Sequence, residues 1–162
     1  MTTSIRPLTA FTAPGPVGPR RPVVFLGEAR EHERAGRVVE AIKCYESAID
    51  TADPTLDGLV LAEALRRLGV VRRRRHEYDQ AIALCERSHE IAMARNDGLL
   101  AAEALNGIAL VHVERGEWSE ARERLSRALE LGAESKELVG RIEQNLGIMA
   151  NIHGDLGAAM NH

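Results

Sequence analysis

From Val23 onward, apolar residues recur three and four positions apart, with Arg and Glu filling the spaces between them. That spacing is the signature of helices with one buried face. It predicts helices at about 24–35, 38–51, 55–74, 78–94, 98–115, 118–131 and 136–153. Asp53-Pro54 sets a capping acid before a helix-starting proline, and Asn96-Asp97-Gly98 offers a similar stop and restart. The seventh helix is expected to end at Gly154, with an eighth starting near Leu156. Five of the six prolines fall within the first 22 residues, so residues 1–22 are predicted to form a disordered or extended arm. Arg20 and Arg21 could tether that arm weakly to an acidic surface.

The helical segments repeat. Asp57-Gly58-Leu59-Val60-Leu61-Ala62-Glu63-Ala64-Leu65 returns as Asp97-Gly98-Leu99-Leu100-Ala101-Ala102-Glu103-Ala104-Leu105, with seven of nine positions identical at an offset of 40. The same offset relates Ala29, Ala41 and Ala48 to Gly69, Ala81 and Ser88, and these to Ala109, Ala121 and Ala128. Small residues at such positions let two helices cross closely, where a bulky side chain would force the axes apart. Gly36, His76 and Gly116, again 40 apart, fall where the chain must turn between the helices of a pair. Each unit thus reads as helix A, turn, helix B, turn, in an all-α array of antiparallel pairs.

These residues resemble the tetratricopeptide repeat, which has a small residue at position 8, Gly near 15, Ala at 20, an aromatic near 24 and Ala at 27. The first repeat supplies Ala29, Gly36, Ala41, Tyr45 and Ala48. The third supplies Ala109, Gly116, Ala121, Leu125 and Ala128, with Trp118 just after the turn. The second departs, with His76 for the turn Gly, Cys85 for the aromatic and Ser88 for the last Ala. The 40-residue period resembles the longer repeats of kinesin light chains and bacterial regulators. The resemblance implies a right-handed α-α superhelix over 23–162, with repeats at about 22–55, 62–95 and 102–135 and a truncated fourth from about 140.

The resemblance also implies a concave groove lined by the A helices, binding a protein or peptide. Carried onto this sequence, its groove positions fall on Leu26, Arg30, Glu33 and Arg34; on Glu63, Arg66, Arg67, Val70, Arg73 and Arg74; on Glu103, Asn106, Leu110 and Val113; and on Arg141, Asn145 and Ile148. The run Arg72-Arg73-Arg74-Arg75 is the densest charge in the chain. It has two readings, a solvated helix end complementing the dipole or, with Arg66 and Arg67, a basic stripe for an acidic peptide. Asn106 and Asn145 each offer a donor and an acceptor suited to clamping the backbone of an extended peptide. The family's two-carboxylate clamp for chaperone tails needs Lys and Asn early in the first A helix. Leu26 and Arg30 stand near those places, so chaperone-tail binding is not expected.

Composition narrows the field further. In 162 residues there are 21 Lys+Arg against 24 Asp+Glu, which gives no global case for nucleic acid. Aromatics are only 3% of the chain, so the core must be aliphatic and stacking platforms for single strands are lacking. No apolar run is long enough for a membrane span. His32 and His112 share repeat position 11 and read as packing residues, and Cys44 and Cys85 as buried fillers. With no metal-ligand spacing, phosphate loop or nucleophile elbow, neither metal, cofactor nor enzymatic activity is expected.

With only seven residues from Leu156 to His162, the last A helix is expected to leave Leu146, Met149 and Ile152 partly uncovered. The sequence is then a fragment, or the bare end self-associates. Two functions follow: a cytoplasmic peptide-binding scaffold, or the sensory or dimerising region of a longer bacterial signalling protein. In the second case a nucleotide cyclase, kinase or DNA-binding domain would supply the output.

Overall fold

The computed structural model describes residues 21–161, and within them every regular element is an α-helix. These are α1 (Pro22–Arg34), α2 (Val38–Thr51), α3 (Gly58–Arg74), α4 (Tyr78–Ala94), α5 (Gly98–Glu114), α6 (Trp118–Leu131) and α7 (Lys136–Asn161). Of the arm expected at 1–22, all but Arg21 and Pro22 lies outside the described residues, and Pro22 opens α1. Helices adjacent in sequence pack against each other, and α3 also touches α1 and α5.

The small residues sit in the seams. Ala29, Ala41, Ala48, Ala81, Ser88, Ala109, Ala121 and Ala128 are all essentially inaccessible. Gly69 is needed because a Cβ there would stand 2.6 Å from Cys85 Sγ and 3.2 Å from the Ala81 carbonyl. Around the seams pack Leu26, Tyr45 and Leu68 at one end, and Leu105, Leu125, Leu138 and Ile142 at the other. Ser88, which replaces an alanine, stays satisfied by donating its hydroxyl to the Ala62 carbonyl at 2.6 Å.

Three A-to-B turns share one geometry. Gly36, His76 and Gly116 adopt φ of 77°, 62° and 74°. The next residue's N–H bonds back five positions in each, Arg37 to His32, Glu77 to Arg72 and Glu117 to His112, at 2.8–2.9 Å. That left-handed cap satisfies carbonyls the helix end would otherwise orphan. Asn96 makes the same turn between α4 and α5, with φ 57°. The side chains clasp it too: Arg37 Nε donates to His32 Nδ1, Arg72 Nη1 to Glu77, and His112 Nδ1 lies 2.8 Å from Glu117. His32 and His112 are therefore half-buried turn clasps rather than simple packing residues.

The seventh helix departs from expectation. It runs unbroken through Gly154 to Asn161, with no separate helix from Leu156. Gly154 does not take the left-handed conformation, and nothing crowds its Cα. A glycine permits a turn, but packing must impose one.

Candidate functional site

The A helices α1, α3, α5 and α7 place their polar faces together around a cavity of about 390 Å³. Of the residues carried over from the groove positions, Arg66, Arg67, Val70, Arg73, Arg74, Asn106, Leu110 and Arg141 line it. Asn145 stands beside them, its Nδ2 donating to Asn106 Oδ1 at 3.1 Å across the α5–α7 boundary. Arg30 borders the set through an ion pair to Glu63, whereas Arg34 is turned to its own helix and pairs with Glu31. Leu26 is not in the groove: it is buried in the core around α1 and α2.

The arginines do not form an open basic stripe. Arg66 Nη2 lies 3.2 Å from Glu63 and 3.1 Å from Glu103. Arg67 Nε donates to Glu63 at 2.5 Å, Arg73 bridges to Glu114 at 2.8 Å, and Arg74 to Glu33 at 3.0 Å. Arg141 reaches Glu103 at 3.3 Å. The result is a ladder, Arg30–Glu63–Arg66–Glu103–Arg141, that crosses all four A helices. Its glutamates, as much as its arginines, build this surface. The sequence signal for them was the recurrence of Glu63 as Glu103 at the repeat offset.

Electrostatics follow from this geometry. Burial opposes the charge on Glu63, but Arg66, Arg67 and Arg30 together outweigh it and hold the carboxyl below the usual carboxylate range. Burial likewise opposes the charge on Arg67, and Glu63 overcomes it, raising its pKa. Burial, reinforced by a 2.5 Å hydrogen bond to Glu33, pushes the Tyr45 phenol well above its ordinary value. Burial also pushes the Cys85 thiol up to about 11, which makes it a filler rather than a nucleophile. Cys44, expected to be equally buried, is only half so.

The arginines divide into two classes. The side chains of Arg66 and Arg73 are 12% and 18% exposed and act as braces between helices. Those of Arg74 and Arg141 are 59% and 48% exposed on the rim, each bridged to one carboxylate. Such exposed pairs contribute about 0.2–1 kcal/mol and exchange readily. The Nε–H groups of Arg30, Arg66 and Arg73 are buried without an acceptor, which leaves donors that the described residues do not satisfy. Among the described residues no group of three His, Cys, Asp or Glu side chains gathers as a metal site. No described helix is long and apolar enough to cross a membrane.

Comparison with known proteins points the same way. The tetratricopeptide repeat family model matches residues 26–92 and again 60–134. No curated protein matches the chain by sequence. Among solved structures, the N-terminal domain of stress-induced protein-1 from C. elegans is 17% identical, over 76% of this chain and 92% of its own, with a TM-score of 0.61. The first repeat domain of Spaghetti, bound to the HSP90 peptide SRMEEVD, is 19% identical over 78% and 94%, with a TM-score of 0.59. BtubC from P. vanneervenii is 16% identical over 86% and 64%, with a TM-score of 0.63. At these identities the likeness is one of fold.

Proposed function

This chain belongs to the tetratricopeptide repeat family, a family of protein-interaction scaffolds, and from that premise we propose that its concave groove holds an extended, acidic segment of a partner protein. The supporting observation is the pair of exposed rim arginines, Arg74 and Arg141, set around a floor of Asn106, Val70 and Leu110. A ligand carboxylate can take over either arginine from Glu33 or Glu103 at small cost. The Asn106–Asn145 pair supplies donors and acceptors for a peptide backbone. The neighbour's chaperone peptide is not transferred to this chain, because Leu26 is in the core and Arg30 is committed to Glu63.

A displayed random-peptide library tests the reading. Selected peptides should be enriched in Asp and Glu and bind more weakly as salt rises. Arg74→Glu with Arg141→Glu should weaken them by about tenfold, as expected for charge reversal at an interface. Selection without acidic enrichment, or indifference to both substitutions, would overturn it.

A second reading, of a dimerising region within a longer signalling protein, is favoured by α7. Its exposed Ile148, Ile152 and Leu156 form an apolar ridge that a second copy would cover.

A further inference from the structure

The nine-residue motif duplicated at Asp57–Leu65 and Asp97–Leu105 is almost fully consumed by structure. Gly58 admits the Arg95 guanidinium, Gly98 lies against the Leu131 carbonyl, and Asp97 caps α5 by accepting from the Leu100 N–H. Leu61, Ala62, Ala64, Leu65 and their counterparts 40 residues on are buried, and Glu63 and Glu103 hold the ladder. Leu59 and Leu99 are left over, 43% and 46% exposed in the first turns of α3 and α5.

Between them is a cleft of about 290 Å³, which Glu63, Asp97, Leu100 and Glu103 also line. Leu99 borders a second cleft, of about 340 Å³, with Leu131, Gly132 and Glu134. No described Lys, Arg or His lines either cleft. Apolar clefts with acidic walls suit an occupant that is apolar, cationic and free of carboxylates.

The chain itself carries such a segment. Residues 1–20 contain Arg6 and Arg20 but no Asp or Glu. Ile5, Leu8, Phe11 and Val17 fall on a period of three, with Pro14 at the place between the last two. Three residues make one turn of polyproline II, the conformation that Pro7, Pro14, Pro16 and Pro19 favour, and that period aligns side chains on one face. One such turn advances ~9 Å, and helices in contact stand ~8–10 Å apart. Successive apolar side chains of the arm therefore match successive clefts along the array.

The tether favours the same occupant. The A helices run in one direction, so the first turns of α1, α3 and α5 share one edge, and α3 touches both α1 and α5. The first cleft lies within about two interaxial spacings, ~20 Å, of the start of α1. The stretch from Phe11 to Arg21 spans ~31 Å in polyproline II, which is ample. Tethering holds the arm at roughly millimolar effective concentration, so weak contacts are enough.

We propose that residues 6–11 of this chain dock along this edge, with Phe11 between Leu59 and Leu99 and Leu8 in the cleft beside Leu131. Glu63 and Glu103 are held by the ladder and Asp97 by its cap. Arg6, two residues beyond Leu8, pairs instead with Glu134 on the far wall of the second cleft. This docking is independent of the groove reading. Arg74 stands about 22 Å along α3 from Leu59, so the two ends of the helix serve different surfaces.

Methyl NMR on the full chain tests this, with leucine methyls labelled and those of Leu59 and Leu99 assigned from Leu59→Ile and Leu99→Ile. Nuclear Overhauser contacts should join the Phe11 ring to both methyl sets and persist unchanged on dilution. Leu8→Ser with Phe11→Ser should abolish them and shift both sets, because the field of the ring is removed. Neither residue lies in a described helix, and unchanged far-UV dichroism verifies that the fold is kept. Arg6→Glu should weaken the contacts by setting like charges together. Wild-type spectra without these contacts, or leucine shifts indifferent to the double substitution, overturn the docking. Contacts between chains in a mixture of labelled and unlabelled protein would place a second copy's arm in the clefts and overturn the intrachain assignment. Contacts untouched by Arg6→Glu overturn the pairing of Arg6 with Glu134.

Discussion

Arg66 Nη2 lies 3.1 Å from Glu103 Oε2, tying the A helix of the second repeat to that of the third. Glu63 makes the equivalent tie one repeat earlier, accepting from Arg30 Nη2 at 2.9 Å. Solenoid repeats contact only their neighbours, so each such tie acts at an interface that sets overall stability. The groove surface, the binding face in the proposed reading, is thus also a strap along the array.

Glu63→Gln should cost about 2 kcal/mol at neutral pH, because three arginines lose their shared, largely buried counter-charge. The pH dependence has a fixed sign. The folded carboxyl titrates below its ordinary 4.5, so its contribution is present above that value and is lost as pH falls through the folded pKa. Urea unfolding of both proteins at pH 7 and pH 3 should show the gap between them closing in acid. A gap that is constant or widens at pH 3 would contradict this assignment.

Gly116→Ala and Gly147→Ala should act in opposite directions. Gly116 has φ 74°, so alanine there is strained and should destabilise by about 1 kcal/mol. Gly147 is exposed within α7, has ordinary helical φ and faces open space, so alanine should stabilise by about 0.5–1 kcal/mol. Thermal melts that moved the same way for both would refute the distinction between turn and helix glycines.

The 40-residue period, the small-residue seam and the turn positions were all legible in the sequence. They reflect local chemistry repeated in register, and even His76 was readable as a turn from its place between Gly36 and Gly116. The end of α7 was not readable from Gly154, because nothing there packs to impose a turn. Leu26 was assigned to the groove by repeat position, yet the core around Ala29 and Ala41 takes it. The least legible feature was the pairing of the arginines. Arg30–Glu63 and Arg74–Glu33 join residues 33 and 41 apart, a proximity that exists only once the helices are stacked.

Gly69 and Cys85 should prove coupled. Gly69→Ala alone brings a Cβ 2.6 Å from Cys85 Sγ, an overpacking expected to cost about 2 kcal/mol. In a Cys85→Ala background the sulfur is gone and only the Ala81 carbonyl, at 3.2 Å, resists. A double-mutant cycle should therefore return a favourable coupling of about 1 kcal/mol. Strict additivity would mean that the seam relaxes elsewhere and that the contact is not what excludes a side chain at Gly69.

The ridge on α7 makes the last prediction. Ile148, Ile152, Leu156 and Met160 stand four residues apart and are between 39% and 86% exposed. Over residues 148–161 only His153 and Asp155 are ionisable, so little like-charge repulsion opposes a second copy. Residues spaced by four form the ridges that interlock when two helices cross at about −50°, and the same ridge on another copy is a ready partner. Sedimentation velocity should show the mean mass rising with concentration. Ile148→Glu with Leu156→Glu should hold the chain at monomer mass without lowering its thermal midpoint, since neither side chain supports the core. A wild-type chain that stays monomeric across the accessible concentrations would count against self-association through this face.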